Sequence, residues 1–260
     1  MKHLKLLALL LALVMTVSLF TGCVEKEPAS GEVISHEEET TPETEAPTEE
    51  AEEPTEEPAP EELEPPTEAN EENPTSLGRM DGGVYTNTYA GFGCELDANW
   101  SFYTAEELQE LPENIQEVLA DTDLGNAIDD YQQIMDMSAE NVNDLTIMNV
   151  LYTKQPMNER LVNMTRTEKE TLEASLGQYD MLADAYLAAG IELVNMEVIP
   201  VTFLGEDHYA LKSTAVTQGV DYYILQIQNY KLGSYGITLT VGSYIEDKTE
   251  DLLDLFFAVD

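Results

Sequence analysis

From Val24 to about Ser76 the chain is built almost entirely of Glu, Pro, Thr, Ala and Ser, as in Thr41-Pro42-Glu43-Thr44-Glu45-Ala46-Pro47-Thr48-Glu49-Glu50. Such a stretch cannot fold alone. It has almost no large apolar side chains to offset the entropy of ordering, and its like charges repel. Pro recurs every few residues and favours extended polyproline-like conformers, with a reach of at most about 3.1 Å per residue, roughly 160 Å in all. With the preceding apolar segment also set aside, about 180 of the 260 residues remain to build a core. That suits one domain of ordinary size and is small for a two-lobed solute-binding protein.

The acidic stretch is preceded by Met1-Lys2-His3-Leu4-Lys5, a short basic start, and by the apolar run Leu6 to Phe20. At about 15 residues this run has the dimensions of a signal peptide and falls short of the roughly 20 needed to cross a bilayer. It ends in Leu19-Phe20-Thr21-Gly22-Cys23, which resembles the lipobox of bacterial lipoproteins, with Phe20 where Leu is usual. The resemblance implies cleavage before Cys23 and diacylglycerol on its sulfur, two acyl chains that together anchor stably. The expected organisation is therefore a signal peptide over 1–22, a lipidated cysteine and disordered tether over 23–78, and a single domain over 79–260. The expected address is the extracytoplasmic face of the cell membrane.

Charge narrows the partners. The formal net charge is -41, and residues 79–260 alone carry 32 acidic side chains against 8 Lys and Arg. No basic patch exists to attract nucleic acid or an anionic membrane surface, so neither is expected. With Cys23 modified, Cys94 has no partner within the chain, and the domain must stand without a disulfide. Its thiol reads as buried core.

Composition changes at about Leu77 to Asp81. Val84 to Tyr89 and Phe92 to Leu96 alternate apolar and polar positions around Ala90-Gly91, predicting an opening hairpin, and Trp100 follows as a core anchor. Thr104-Ala105-Glu106-Glu107 has capping-box spacing and starts a helix through Leu108 and Leu111, which Pro112 should interrupt before Ile115, Val118 and Leu119 resume the helical spacing. Leu124, Ile128, Tyr131 and Met135 suggest a second short helix. Thr146 to Tyr152 reads as a strand covered on both faces. Thr167-Glu168-Lys169-Glu170 repeats the capping box and predicts a long helix carrying Leu172, Leu176, Tyr179, Ala183 and Tyr186, ended by Gly190. Glu192 to Leu204, Tyr209 to Val216, Val220 to Tyr230 and Tyr235 to Val241 read as an antiparallel meander, with Pro200 placing its strand at an edge or bulge. In the last of these strands one face should pack while Gly236, Thr238 and Thr240 leave the other small and polar. A final helix is expected over about Asp247 to Ala258, with Leu252, Leu255 and Phe256 inward. The fold class is α+β, an antiparallel sheet of about six strands flanked by helices.

The opening run Tyr89-Ala90-Gly91-Phe92-Gly93-Cys94-Glu95-Leu96-Asp97-Ala98-Asn99-Trp100 and the element order after it resemble the PsbP-like α/β/α sandwich. That fold is shared by an extrinsic photosystem II protein, a Ran-binding import factor and many bacterial lipoproteins. The resemblance implies a binding or assembly role rather than catalysis, by analogy of fold.

The residues themselves carry no catalytic, metal or cofactor motif. His208, the only histidine after the acidic stretch, sits beside Asp207 and reads as a surface or edge residue; a histidine zinc site is excluded and a triad would depend on it alone. Gly233-Ser234-Tyr235-Gly236 lies in a strand-to-strand turn, unlike a nucleophile elbow. Asp121-Thr122-Asp123-Leu124-Gly125-Asn126 begins like a calcium loop, but its Gly is one position early and Gln132 replaces the bidentate Glu. The sequence therefore supports first a non-catalytic module that binds another exported protein or peptide through its sheet edge or an aromatic patch of Tyr222, Tyr223 and Tyr230. Two alternatives are a carboxylate-based hydrolase acting on cell-wall or glycan material, and an acidic domain that binds a cation or small ligand.

Overall fold

The computed structural model describes residues 77–119, 122–123, 133–154, 165–229 and 235–259. All of these belong to one of two compact units; the second, Cys23–Glu64, lies outside them. The segment expected to be a signal peptide, Cys23, residues 24–76 of the expected tether and the residues at 155–164 are likewise outside the described residues.

A seven-stranded sheet forms the centre. In chain order its strands are β4 (Ser101–Phe102), β5 (Gln133–Asn141), β6 (Thr146–Lys154), β7 (Ile191–Phe203), β8 (Glu206–Thr217), β9 (Val220–Asn229) and β10 (Tyr235–Tyr244). They lie side by side as β4-β5-β6-β10-β9-β8-β7, every neighbour antiparallel. A second sheet of four short strands joins β1 (Arg79–Asp81), β2 (Val84–Asn87), β3 (Phe92–Glu95) and β11 (Phe256–Ala258) in the order β1-β2-β3-β11. Four helices complete the described residues: α1 (Ala105–Leu119), α2 (Glu168–Leu176), α3 (Tyr179–Ala188) and the short α4 (Thr249–Leu253).

The alternation of side chains along each strand sorts the large sheet into two cores. One face carries Met148, Val150, Tyr152, Leu225, Ile227, Ile237, Leu239 and Val241, and meets Tyr85, Phe92, Cys94 and Phe256 of the small sheet. The other carries Leu151, Leu211, Ala215, Tyr222 and Ile224, and meets Leu108 and Leu111 of α1, Leu172 of α2, and Leu182, Ala185 and Tyr186 of α3. The class is α+β, antiparallel sheets flanked by helices. One face of the large sheet takes α1, α2 and α3, and the other takes the small sheet together with α4.

Much of the sequence reading holds. The hairpin β2–β3, the doubly covered strand β6, the meander β7–β8–β9–β10 and both capping boxes are present. Pro200 lies on β7, the edge strand, where a missing N–H costs no ladder bond; the bulge on that strand falls between Leu193 and Asn195.

Other expectations are corrected. Helix α1 continues through Pro112 to Leu119. Met135 lies in β5, a strand the sequence reading lacks, and residues 124–132 are outside the described set. The long helix is two, because the amide of Gly177 turns back onto the carbonyl of Ala174 and the chain restarts at Tyr179. Gly190 does end the second, at a φ of 78° that a Cβ would resist. The terminal helix shrinks to α4. Phe256 then pairs with Cys94 as strand β11, so its apolar residues are buried by a sheet rather than by a helical face. Finally, β10 is buried along its whole length on both faces, so Thr238 and Thr240 lie inside the protein.

Candidate functional site

Three features distinguish this domain from an ordinary packed sandwich. The first is a buried junction. Asp136 sits at the register shift between Met135 and Met137 of β5, which turns its carboxylate towards the small sheet. There it accepts from Tyr85 Oη at 2.6 Å, from Asn87 Nδ2 at 2.7 Å, and from the Gly78 amide at 2.8 and 3.0 Å. Asn87 also donates to Tyr152 Oη at 2.6 Å, while its own oxygen accepts from the Ala90 amide. Burial pushes the Asp136 carboxyl above the usual carboxylate range despite the downward pull of its three donor residues. The same burial, with Asp136 alongside, holds the Tyr85 phenol well above its ordinary value. This network ties the residues that follow the acidic stretch to the central sheet.

The second feature is a polar floor inside the domain. On the helix side of the large sheet the register aligns Ser138, Asn149, Thr240 and Gln226 in one row across β5, β6, β10 and β9. The next row holds Leu151, Thr238 and Gln228, and beyond it Thr153 faces Gly236. Every one of these polar side chains is buried. Gln226 Nε2 donates to Thr240 Oγ1 at 2.9 Å. Both amide atoms of Asn149, Thr153 Oγ1, and the hydroxyls of Tyr186, Tyr222 and Tyr244 have no hydrogen-bond partner. Native interiors leave few such groups, and each unpaired one costs about 1–3 kcal/mol. Tyr222 and Tyr244 stack with ring centroids 4.2 Å apart, and the Tyr222 hydroxyl lies over Gly242, where a Cβ would come within 2.6 Å of it. No charged side chain stands on this face of β6, β9 or β10.

The third feature is an apolar tip at the end of the sheet where β6 and β9 begin. Val142, Val220 and Ile245 are exposed there, Ile245 to 65%. Ile245 has a φ of 70° and Leu145 one of 54°, left-handed values that are strained for a bulky side chain. The backbone holds both in place: the Tyr244 amide donates to the Leu145 carbonyl at 3.0 Å, and the Ile245 amide to that of Asp221 at 2.9 Å. Exposed Asp144, Asp221 and Glu246 surround the tip, and Lys248 reaches Asp144 at 4.0 Å.

The sequence-predicted residues fare unevenly. Tyr222 is not a surface residue: its exposure is 0%, because its position on β9 turns it towards the helices. Tyr223 follows it in the strand, points to the opposite face and is half-buried, so the two do not form one patch. Tyr230 and Cys23 lie outside the described residues, as do Gly233 and Ser234. Cys94 is buried in the core between the sheets, and burial pushes its thiol up to about 12, which leaves it inert. Trp100 packs against the same core.

His208 reaches Glu168 Oε1 at 3.2 Å while the Tyr209 amide donates to Glu168 Oε2 at 2.9 Å, a contact that fastens the start of α2 to β8. Lys212 lies between Asp247 at 2.6 Å and Glu250 at 3.5 Å. Burial works against its charge, and the two carboxylates more than offset it, raising its pKa. Among the described residues no three His, Cys, Asp or Glu side chains are grouped to hold a metal ion, and no helix is long and apolar enough to cross a membrane.

Protein-family models give no match to the chain, and neither do curated proteins. Among solved structures it is similar to cyanobacterial PsbP (CyanoP) from Synechocystis, solved in solution, with 15% identity and a TM-score of 0.38. The similarity covers 70% of this chain and 99% of that one.

Proposed function

We propose that this chain is an exported lipoprotein, held to the membrane by diacylglycerol on Cys23, whose domain is a non-catalytic module that binds another exported protein or peptide. The Leu19 to Cys23 segment and the acidic tether support the anchorage, since a long reach raises the effective concentration of the domain near partners at the wall or membrane.

The binding surface is the apolar tip rather than an aromatic patch. The observation that carries it is Ile245, a β-branched side chain held exposed at a left-handed φ beside Val142 and Val220. The turn that seats the Ile245 amide on Asp221 needs no β-branched side chain, so an exposed isoleucine strained there fits a task outside the chain. The ring of Asp144, Asp221 and Glu246 sets the partner's chemistry: apolar side chains flanked by Lys or Arg, not an anionic bilayer.

Photo-crosslinkers placed at Val142 and Ile245 in intact cells test this, with Glu173 on α2 as the control position. The same partner captured from both tip positions and not from Glu173, and lost when Val220→Asp is added, supports the reading. Capture no different from the Glu173 control refutes it.

A further inference from the structure

Lysine and arginine are scarce in this chain, and one of them stands apart. Arg79 is the only basic side chain between Lys26 and Lys154, and it falls where the acidic stretch gives way to the domain. It lies on β1, the outermost strand of the small sheet, which pairs with β2 alone. Arg79, Met80 and Asp81 are all exposed, and β1 adds no side chain to either core. Only its register with β2, and the Gly78 amide on Asp136 just before it, hold the strand in place. Immediately after it Gly82 takes a φ of 62°, and the Leu96 amide donates to the Gly83 carbonyl at 2.8 Å. Peeling of β1 therefore ends at Gly82, while β2 keeps its pairing with β3.

We propose that the Arg79–Met80 peptide bond is a processing site for a trypsin-like serine endoprotease, whose cut frees the domain from the acidic stretch. Such a protease takes a basic side chain in an acidic pocket and holds its substrate extended. β1 offers an exposed arginine on backbone that is already extended and has one edge unpaired. Hydrolysis adds one water across the bond, leaving a carboxylate on Arg79 and an ammonium on Met80. Basic residues within the body of the domain are poorer targets. Lys169 is in α2 and pairs with Glu173 at 3.4 Å, and Lys212 is in β8 between β7 and β9, paired with Asp247. Cutting at either requires a core element to open, and cleavage follows the population of the open form. The product, residues 80–260, keeps every strand from β2 onward and is no longer joined to Cys23. Its release from a membrane rests on the anchorage proposed above; the cut itself does not.

Brief digestion of the purified full chain with trypsin, with the new termini read by mass spectrometry, tests the site. The cut after Arg79 should be at least about tenfold faster than cuts after Lys169 or Lys212. Arg79→Gln should abolish it and leave the other two rates unchanged. In cells that make the protein, a form beginning at Met80 should appear in the medium, and Arg79→Gln or the arginine mimic benzamidine should suppress it. A cut after Arg79 no faster than those after Lys169 and Lys212 overturns the proposal. So does a medium that holds no form beginning at Met80. Full-length chain free in the medium with Cys23 unmodified, alongside the fast cut after Arg79, would sink the anchorage and keep the processing site.

Discussion

Tyr85 of the small sheet donates its phenolic hydrogen to Asp136 of the large sheet across 2.6 Å of buried interior. The two residues lie 51 positions apart in sequence, and their contact, with Asn87 and the Gly78 amide, holds the two sheets in register at the start of the domain.

Asp136→Ala removes the acceptor of the buried Tyr85 hydroxyl and of the half-buried Gly78 amide, while Asn87 keeps its bond to Tyr152. The substitution is expected to cost about 3 kcal/mol, measured by urea denaturation. Tyr85→Phe removes one donor and keeps the ring, so it should cost about 1 kcal/mol.

The pH dependence has a definite sign. Because the folded state raises the Asp136 pKa above its ordinary 3.8, the native protein binds more protons than the unfolded chain in that window. Stability from this group is therefore greatest at low pH and declines as pH rises from about 3.8 through the folded-state value. The difference in unfolding free energy between the parent and Asp136→Asn, followed over pH, isolates this group from the repulsion of the other acids.

Gly242→Ala drives a methyl group against the Tyr222 hydroxyl, which the stacked Tyr244 keeps from moving aside. A loss of about 1–3 kcal/mol in thermal or chemical unfolding is expected. Adding Tyr222→Phe should recover part of it, and a double-mutant cycle reads the coupling.

Thr167→Ala removes a complete capping box, in which the Glu170 amide donates to Thr167 Oγ1 at 3.2 Å and the Thr167 amide to Glu170 Oε2 at 2.9 Å. The cost should be about 1 kcal/mol. Amide hydrogen exchange should report it as faster opening of α2 than of the sheet.

The parts of the fold that were legible in the sequence carry their signals locally. Thr104 and Thr167 announce helices because both partners of each box lie within one turn, and β7 to β10 announce themselves by alternation and turns. Strand β5 was not legible because Asp136 interrupts its apolar pattern, and the donors that make a buried carboxylate tolerable come from residues 78 to 87. The last segment misled for a related reason. Leu252, Leu255 and Phe256 keep helical spacing, yet Phe256 is buried by pairing with Cys94, a contact that depends on β3.

Parity decides the aromatic residues. Tyr222 looks like a surface partner of Tyr223, but even-numbered positions of β9 face the helices, so Tyr222 goes inside with Ile224, Gln226 and Gln228. The polar face of Thr238 and Thr240 was visible in the sequence. What was not visible is that β6 and β9 extend it with Asn149 and Gln226, since only strand order and register bring these residues side by side.

Ile245→Gly measures the proposed binding role most directly. Glycine accepts a φ of 70° without strain and the isoleucine is 65% exposed, so the substitution should stabilise the domain by about 1 kcal/mol. In the same protein, cross-linking from Val142 to the partner should disappear. A stabilised variant that still cross-links, or one that is destabilised, would contradict the assignment of this tip to partner binding.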